Sequence, residues 1–495
     1  MGDRPYSCSR ARIPTSLAHP DPHHTGARSR VICRVHDSHS LYHSGRDIST
    51  IHPPTLLTTQ RASSPIASPS VYQHYYPATT TMAGFIQKGA RNILQKNPND
   101  VVFLSALRTP VTRAKKGGFN TAHDHELLSH VLRATLAALP DLDPSIVNDM
   151  QIGTVLSELG GSKAGRMAAL HAGFPETAAF QTVNRACSSG LAAITGVANA
   201  IAVGEIDVGV GGGMESMSRN YGSRAIPTQL WDGLRESGVK DARDCVMAMG
   251  LTAENVAERY GVGRAEQDAF AARSHQKAAK AREGGLFDRE IVPVTTRWCP
   301  DTKEKPDVLE EITVTKDDGI RPSSTPENLA KMKPAFKPEG TATAGNSSQV
   351  SDGAAAAMMM RRSTASALGL EKNIIGKWAG TQVVGCKPDE MGIGPALAIP
   401  KLLEYTGVAK DEIGIWEINE AFASQAIYCL RTLGLDEEKV NPKGGAIALG
   451  HPLGATGARQ LAGLLPELER QGKEMGVISM CIGTGMGMAS LIVRE

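Results

Sequence analysis

Twice along this chain an ordered segment leads to one chemically special residue, a helix of small residues follows, and an apolar strand then ends in glycines. In the first pass, Gln181-Thr182-Val183 runs into Cys187 and Ser188-Ser189-Gly190-Leu191-Ala192-Ala193 opens the helix. Ile206–Val210 then ends in Gly211-Gly212-Gly213. In the second, Gly444-Gly445-Ala446 leads to His451-Pro452, a helix starts at Ala455, and the strand from Gly476 ends in Gly483-Thr484-Gly485. One plan used twice predicts two similar α/β halves packed together. Further apolar strands at Asp100–Ala106, Val147–Val155 and Ile413–Ile418 alternate with a helix-period stretch over Leu127–Leu139, which argues for a parallel or mixed sheet. The 51 glycines and only 4% aromatics fit backbones that approach closely. Gly211-Gly212-Gly213 lacks the spacing of a phosphate-binding loop and is read as such an approach.

Composition divides the rest. Residues 1–98 read as a disordered N-terminal extension or targeting region, because the first 81 are rich in Ser, Pro, His and Arg and poor in acidic and large aliphatic residues. Arg12-Ile13 followed by His19 resembles a degenerate peroxisomal nonapeptide address. A start at Met82 is the competing reading. Residues 99–218 form the first half, completed by 350–371, and 372–495 form the second. Residues 219–349 read as an inserted, mostly helical lobe containing Ala253–Tyr260 and Arg264–Arg282, and Thr343–Gln349 reads as a ligand-facing loop. A net charge of +2 argues against a nucleic-acid surface. No run of about 18 apolar residues is found, so no membrane span is expected. The eight cysteines are scattered without Cys-x-x-Cys pairs, so neither metal nor disulfide framework is expected and a reducing, intracellular compartment is.

Cys187, Asn419, His451 and Cys481 stand out as polar residues in apolar, glycine-rich surroundings. Singly, each reads as well as a structural residue. Together they match thioester chemistry, which needs a nucleophilic thiolate, an imidazole for its proton, a second thiol to move a proton on the substrate, and N–H donors for an oxyanion. Cys187 at a helix entrance has unpaired N–H groups and the positive dipole end beside its sulfur, and both favour the thiolate.

Asn184–Gly190, Gly213-Met214-Glu215-Ser216-Met217, Asn419-Glu420-Ala421-Phe422-Ala423, Gly450-His451-Pro452-Leu453-Gly454 and Cys481-Ile482-Gly483-Thr484-Gly485 resemble the signature blocks of thiolases, in order and spacing, over residues 99–495. Gly345–Gly353 and Met391-Gly392-Ile393-Gly394-Pro395-Ala396 resemble the degradative, peroxisomal branch. Ala248 stands where short-chain biosynthetic relatives carry His. The resemblance implies two duplicated α/β halves stacked in five layers (α/β/α/β/α) with an inserted loop domain that binds coenzyme A. It implies thiolytic cleavage of 3-ketoacyl-CoA in β-oxidation, with coenzyme A as a substrate and no permanently bound cofactor. It also implies a homodimer, an import receptor as a partner of the N-terminal region, and the peroxisomal matrix, with the mitochondrial matrix as alternative. The competing activities are acetoacetyl-CoA formation, a condensing relative lacking the second cysteine, and an idle acyl-CoA- or lipid-binding protein.

By the same resemblance Cys187 attacks the 3-keto carbonyl, His451 takes its proton, and Cys481 exchanges protons with the acetyl-CoA carbanion and with coenzyme A. His451 and a water on Asn419 form one oxyanion site, and the N–H groups of Cys187 and Gly483 the other. Ser348, Ala344, Met249 and Arg321 match positions that contact coenzyme A. Since loss of one preorganised oxyanion donor costs roughly 2.7–4 kcal/mol, Asn419→Ala is expected to slow turnover while Cys187→Ala abolishes acyl transfer. A pre-steady-state acyl-enzyme burst surviving in Cys187→Ala would contradict the nucleophile assignment.

Overall fold

The computed structural model describes residues 88–221 and 225–495. The segment 1–81, read from sequence as disordered or targeting, lies outside them. In the first half, β1 (Val101–Arg108), α1 (Asp124–Ala137), β2 (Asp149–Gly153), α2 (Ser162–Ala172), β3 (Ala179–Val183), α3 (Ser189–Val203) and β4 (Val208–Ser216) alternate. Inserted helices α4 (Met249–Tyr260) and α5 (Arg264–Glu283) follow, before β5 (Ser351–Arg361) completes this half. The second half runs β6 (Gly376–Gly385), α6 (Gly394–Thr406), β7 (Ile415–Ile418), α7 (Ala423–Leu433), α8 (Thr456–Arg470), β8 (Met475–Ile482) and β9 (Met486–Arg494).

The pairing shows the duplication directly. The first half orders its strands β1-β5-β4-β2-β3 and the second β6-β9-β8-β7. In each, the two interior βαβ strands pair in parallel and the last strand returns antiparallel. The counterpart of β3 in the second half is reduced to a single parallel bridge between Trp416 and Val440. Val102–Lys377 and Phe103–Gly376 pairs join β1 to β6 and link the halves.

Alternation along β1 sends Val102 and Leu104 to one core and Val101 and Phe103 to another. The first core lies under α1 and α2, and the second holds α3 and α8 between the two sheets. A third lies under α6 and α7 on the far face. Five layers result, as expected. Sandwiched between sheets, α3 is apolar over most of its surface, with Asn199 and Val203 left exposed. Ala186–Val203 is therefore long and apolar enough to cross a membrane by composition alone, contrary to the sequence expectation, but here it is a core helix.

Two further expectations need correction. Order starts before residue 99: Ile93 is buried in the core of the second half, and the N–H of Gly89 donates to Thr406 O at 2.8 Å. The insertion does not fold as a unit of its own, nor is it only helical. Its hairpin, Val294–Trp298 with Glu310–Val314, puts Val294 into the first half's core, while Phe270 and Ala271 of α5 join the second half's. Buried charge ties it in further: Arg108, at the end of β1, pairs with Asp317 at 2.7 Å and Glu290 at 2.9 Å, and Lys443 also pairs with Glu290.

The middle layer is set by close backbone contact. A Cβ at Gly190 would stand 2.7 Å from Gly454 O, and one at Gly457 would stand 2.6 Å from both N and Cβ of Leu191. Helix propensity alone makes Gly→Ala favourable by about 1 kcal/mol, whereas overpacking costs about 1–3 kcal/mol. Gly457→Ala is expected to lower the denaturant midpoint; a rise would contradict this packing.

Candidate active site

The turn from β3 into α3 is built by short side chains. Asn184 Oδ1 accepts the N–H of Ala186 at 3.0 Å. Ser189 Oγ accepts that of Arg185 at 2.9 Å and donates to Ala186 O at 2.6 Å. Together they hold Ala186 at φ +44°, in the left-handed region that costs a residue with a Cβ roughly 1–2 kcal/mol. The strain places Cys187 just outside the N-terminus of α3, with Ser188 as N-cap. A second such turn, Thr484 at φ +72° and Gly485 at +89°, follows β8. Its Gly483 N–H, with the N–H of Cys187 itself, donates to the Cys187 sulfur.

Both turns open on one cavity of about 340 Å³, lined by Cys187, His451, Gly483, Thr484, Ser348 and Met249 among mainly apolar neighbours such as Met217, Phe336 and Leu453. Burial dominates the chemistry of the sulfur. It pushes the Cys187 thiol up to about 11, against the two N–H donors. This corrects the expectation that the helix entrance yields a resting thiolate. An apolar pocket disfavours the ion more than two donors favour it.

His451 is buried, and burial followed by the charge of Arg459 lowers its pKa to about 3, so it is neutral near pH 7. Its tautomer follows from its neighbours. Thr456 Oγ1 donates its hydrogen to Pro452 O at 2.9 Å, so at 2.7 Å from His451 Nδ1 it acts as acceptor for Nδ1–H. Nε2 is left unprotonated, with Asn419 Nδ2 3.3 Å away as donor and Asn419 Oδ1 buried without a partner. A neutral imidazole with an unprotonated Nε2 is a proton acceptor.

Cys481 is fully buried behind the cavity wall, packed with Ala253 and the cavity-lining Met391, Ala421 and Phe422. Burial, then the neighbouring Cys187, raise its pKa well above that of a free thiol, so it rests as a proton donor. Glu215, buried at the end of β4, accepts the N–H groups of Val155, Leu156 and Gly454 at 2.9–3.1 Å and so ties both halves together beside the site.

The structure thus gathers Cys187, His451, Gly483, Ser348 and Met249 on one cavity, with Asn419 and Cys481 directly behind it. Ala344 and Arg321 are exposed and lie outside its lining. Reading the sequence missed Thr456, Gln425 and the tying role of Glu215. A helix-opening Thr five residues after His451 and a Gln at the third position of α7 were the available signals.

Known proteins resemble this chain over most of its length. The profile for the thiolase N-terminal domain matches residues 101–363, and that for the thiolase C-terminal domain matches 372–494. The peroxisomal 3-ketoacyl-CoA thiolase of Yarrowia lipolytica is 51% identical over 409 residues, covering 82% of this chain and 96% of that protein. The crystal structure of the dimeric peroxisomal thiolase of Saccharomyces cerevisiae superposes with a TM-score of 0.74 at 44% identity, covering 81% of this chain and 99% of that one. Another structure of the peroxisomal 3-ketoacyl-CoA thiolase of that yeast, described as five-layered and made of two core domains of identical topology, matches with a TM-score of 0.66 at 40% identity over 81% and 100%.

The depressed pKa of His451 has a consequence for stability. Unfolded, the residue takes up a proton near 6.5; folded, it resists until about 3. The unfolded state therefore binds more protons in that window, and stability contributed by neutral His451 is lost as pH falls through it. Denaturant midpoints at pH 7 and pH 4 are expected to differ less in His451→Gln than in wild type.

Proposed function

Because the chain belongs to the thiolase family, we propose that it cleaves 3-ketoacyl-CoA with coenzyme A, giving acetyl-CoA and an acyl-CoA two carbons shorter, in the peroxisomal matrix during fatty acid β-oxidation. The observation that carries this reading is a high-pKa thiol, Cys187, opening on the same cavity as an imidazole whose Nε2 is unprotonated. The proton of Cys187 passes to His451 Nε2, and the thiolate attacks the 3-keto carbon. Negative charge on that oxygen is met by the N–H groups of Cys187 and Gly483, the donors now directed at the sulfur. Collapse breaks the bond between C2 and C3. The departing acetyl-CoA carbanion takes the proton of Cys481, and its thioester oxygen is held by protonated His451 with a water on Asn419. Incoming coenzyme A then gives its proton to the Cys481 thiolate and attacks the acyl group on Cys187. His451 returns its proton to Cys187 as acyl-CoA leaves.

No step calls for a resident cofactor. Ser348 and Met249, on the cavity, serve coenzyme A in this scheme. Arg321 and Ala344 serve only the exposed end of the molecule, where a guanidinium suits a phosphate. The working unit is a homodimer, as in the yeast relative. The open edge of β3, with Ala179 and Gln181 exposed, supports a face available to a second copy. An import receptor acting on the N-terminal region completes the reading.

The deciding assay is coenzyme A-dependent loss of the 3-keto thioester over several chain lengths, in wild type and Cys481→Ser. Cleavage by wild type that falls by about 100-fold or more in the variant is the expected result. Acyl-CoA binding without cleavage by wild type would refute the activity and leave an idle binding protein.

A further inference from the structure

Gln425 is fully buried at the third position of α7. A glutamine there commonly turns back to cap its own helix start. Here Oε1 reaches past the N-cap to the N–H of Ala421 at 3.2 Å, and it also lies 3.6 Å from the sulfur of Cys481, whose S–H points to it. The other branch of the carboxamide, Nε2, is buried without a partner. Room for the side chain depends on Gly392, where a Cβ would stand 2.6 Å from Cβ of Gln425. An unpaired buried amide N–H is costly, and an apolar side chain of the same length would avoid that cost.

We propose that Gln425 is a positioning residue for Cys481 in both of its protonation states. In the thiol state Oε1 accepts the S–H and fixes the direction of the proton. Once the proton has left, a half-turn of the terminal torsion, which is broad and two-fold in a carboxamide, gives up the bond from the Ala421 N–H and brings Nε2–H to the thiolate. The unpartnered N–H is thereby the donor for the second state. The ionisable groups acting on this sulfur are the thiols of Cys187, Cys429 and Cys386, each of which opposes its ionisation. The amide supplies the complement that they do not. A carboxylate in its place would accept S–H but repel the thiolate.

The inference rests on the thiolase reading and is tested with full-length protein. Exchange of the methyl hydrogens of acetyl-CoA with D2O reads the proton transfer of Cys481, and alkylation of Cys187 by iodoacetamide reads the rest of the site. Gln425→Met and Gln425→Glu are both expected to slow exchange and kcat by about 100-fold, with KM for 3-ketoacyl-CoA and the alkylation rate within two-fold of wild type. Wild-type exchange in either variant overturns the proposal, as does an equal fall in alkylation, which marks a merely structural residue. If Gln425→Met lacks a folded spectrum, the nearly isosteric Gln425→Glu decides by itself. Wild type that neither exchanges nor cleaves overturns the thiolase reading as well, whereas wild type that does both while the variants match it overturns this inference alone.

Discussion

The contact between the first turns of α3 and α8 is the constraint on which the rest depends. At Gly190 and Gly457 the two helices approach until backbone meets backbone, with Gly454 O and Leu191 N where side chains would otherwise stand. Since Cys187 lies at the entrance to one helix and His451 on the turn that leads into the other, this approach brings the thiol and the imidazole to a common cavity. The sheets enforce it from both sides. Each helix packs on the inner faces of both halves, so neither can move without disturbing a core that includes Phe103, Leu191, Leu461 and Ile478.

Burial then sets the chemistry. The same apolar surroundings that disfavour charge keep Cys187 and Cys481 as thiols and His451 as a neutral imidazole. Such a site stores its protons on sulfur and forms ions only in pairs, when one group hands a proton to another. The N–H groups of Cys187 and Gly483 face the sulfur, and the Thr456–His451–Asn419 chain fixes the imidazole beside it. In a cavity lined mainly by apolar side chains, preorganised donors of this kind count for more than they would in bulk solvent.

The insertion shows how far a compositional boundary differs from a structural one. Its charges and prolines mark it off from the glycine-rich halves, yet only a small cluster around Ala278, Phe287 and Ile320 is largely its own, and other apolar residues are buried in the cores of those halves. Val294 and Phe270 therefore end in different cores, and Asp317 and Glu290 close on Arg108 from β1. Met249 and Ser347–Gln349 reach the cavity because the polypeptide carrying them is pinned at both ends.

Much of this was legible in the chain itself. Local spacing is enough to show strands alternating with helices, the repeated pattern around Cys187 and His451, and the blocks containing Asn419 and Cys481, because periodicity and glycine placement are properties of neighbours in sequence. The tertiary structure alone decided the rest. Whether Cys187 rests as thiol or thiolate depends on desolvation by residues far away in sequence. The tautomer of His451 depends on where the hydroxyl hydrogen of Thr456 goes, and the amide of Gln425 meets Cys481 only once α7 packs against the end of β8. Sequence determined which reactive groups are present and on which elements; folding determined their distances and their dielectric surroundings, because both are set by long-range packing.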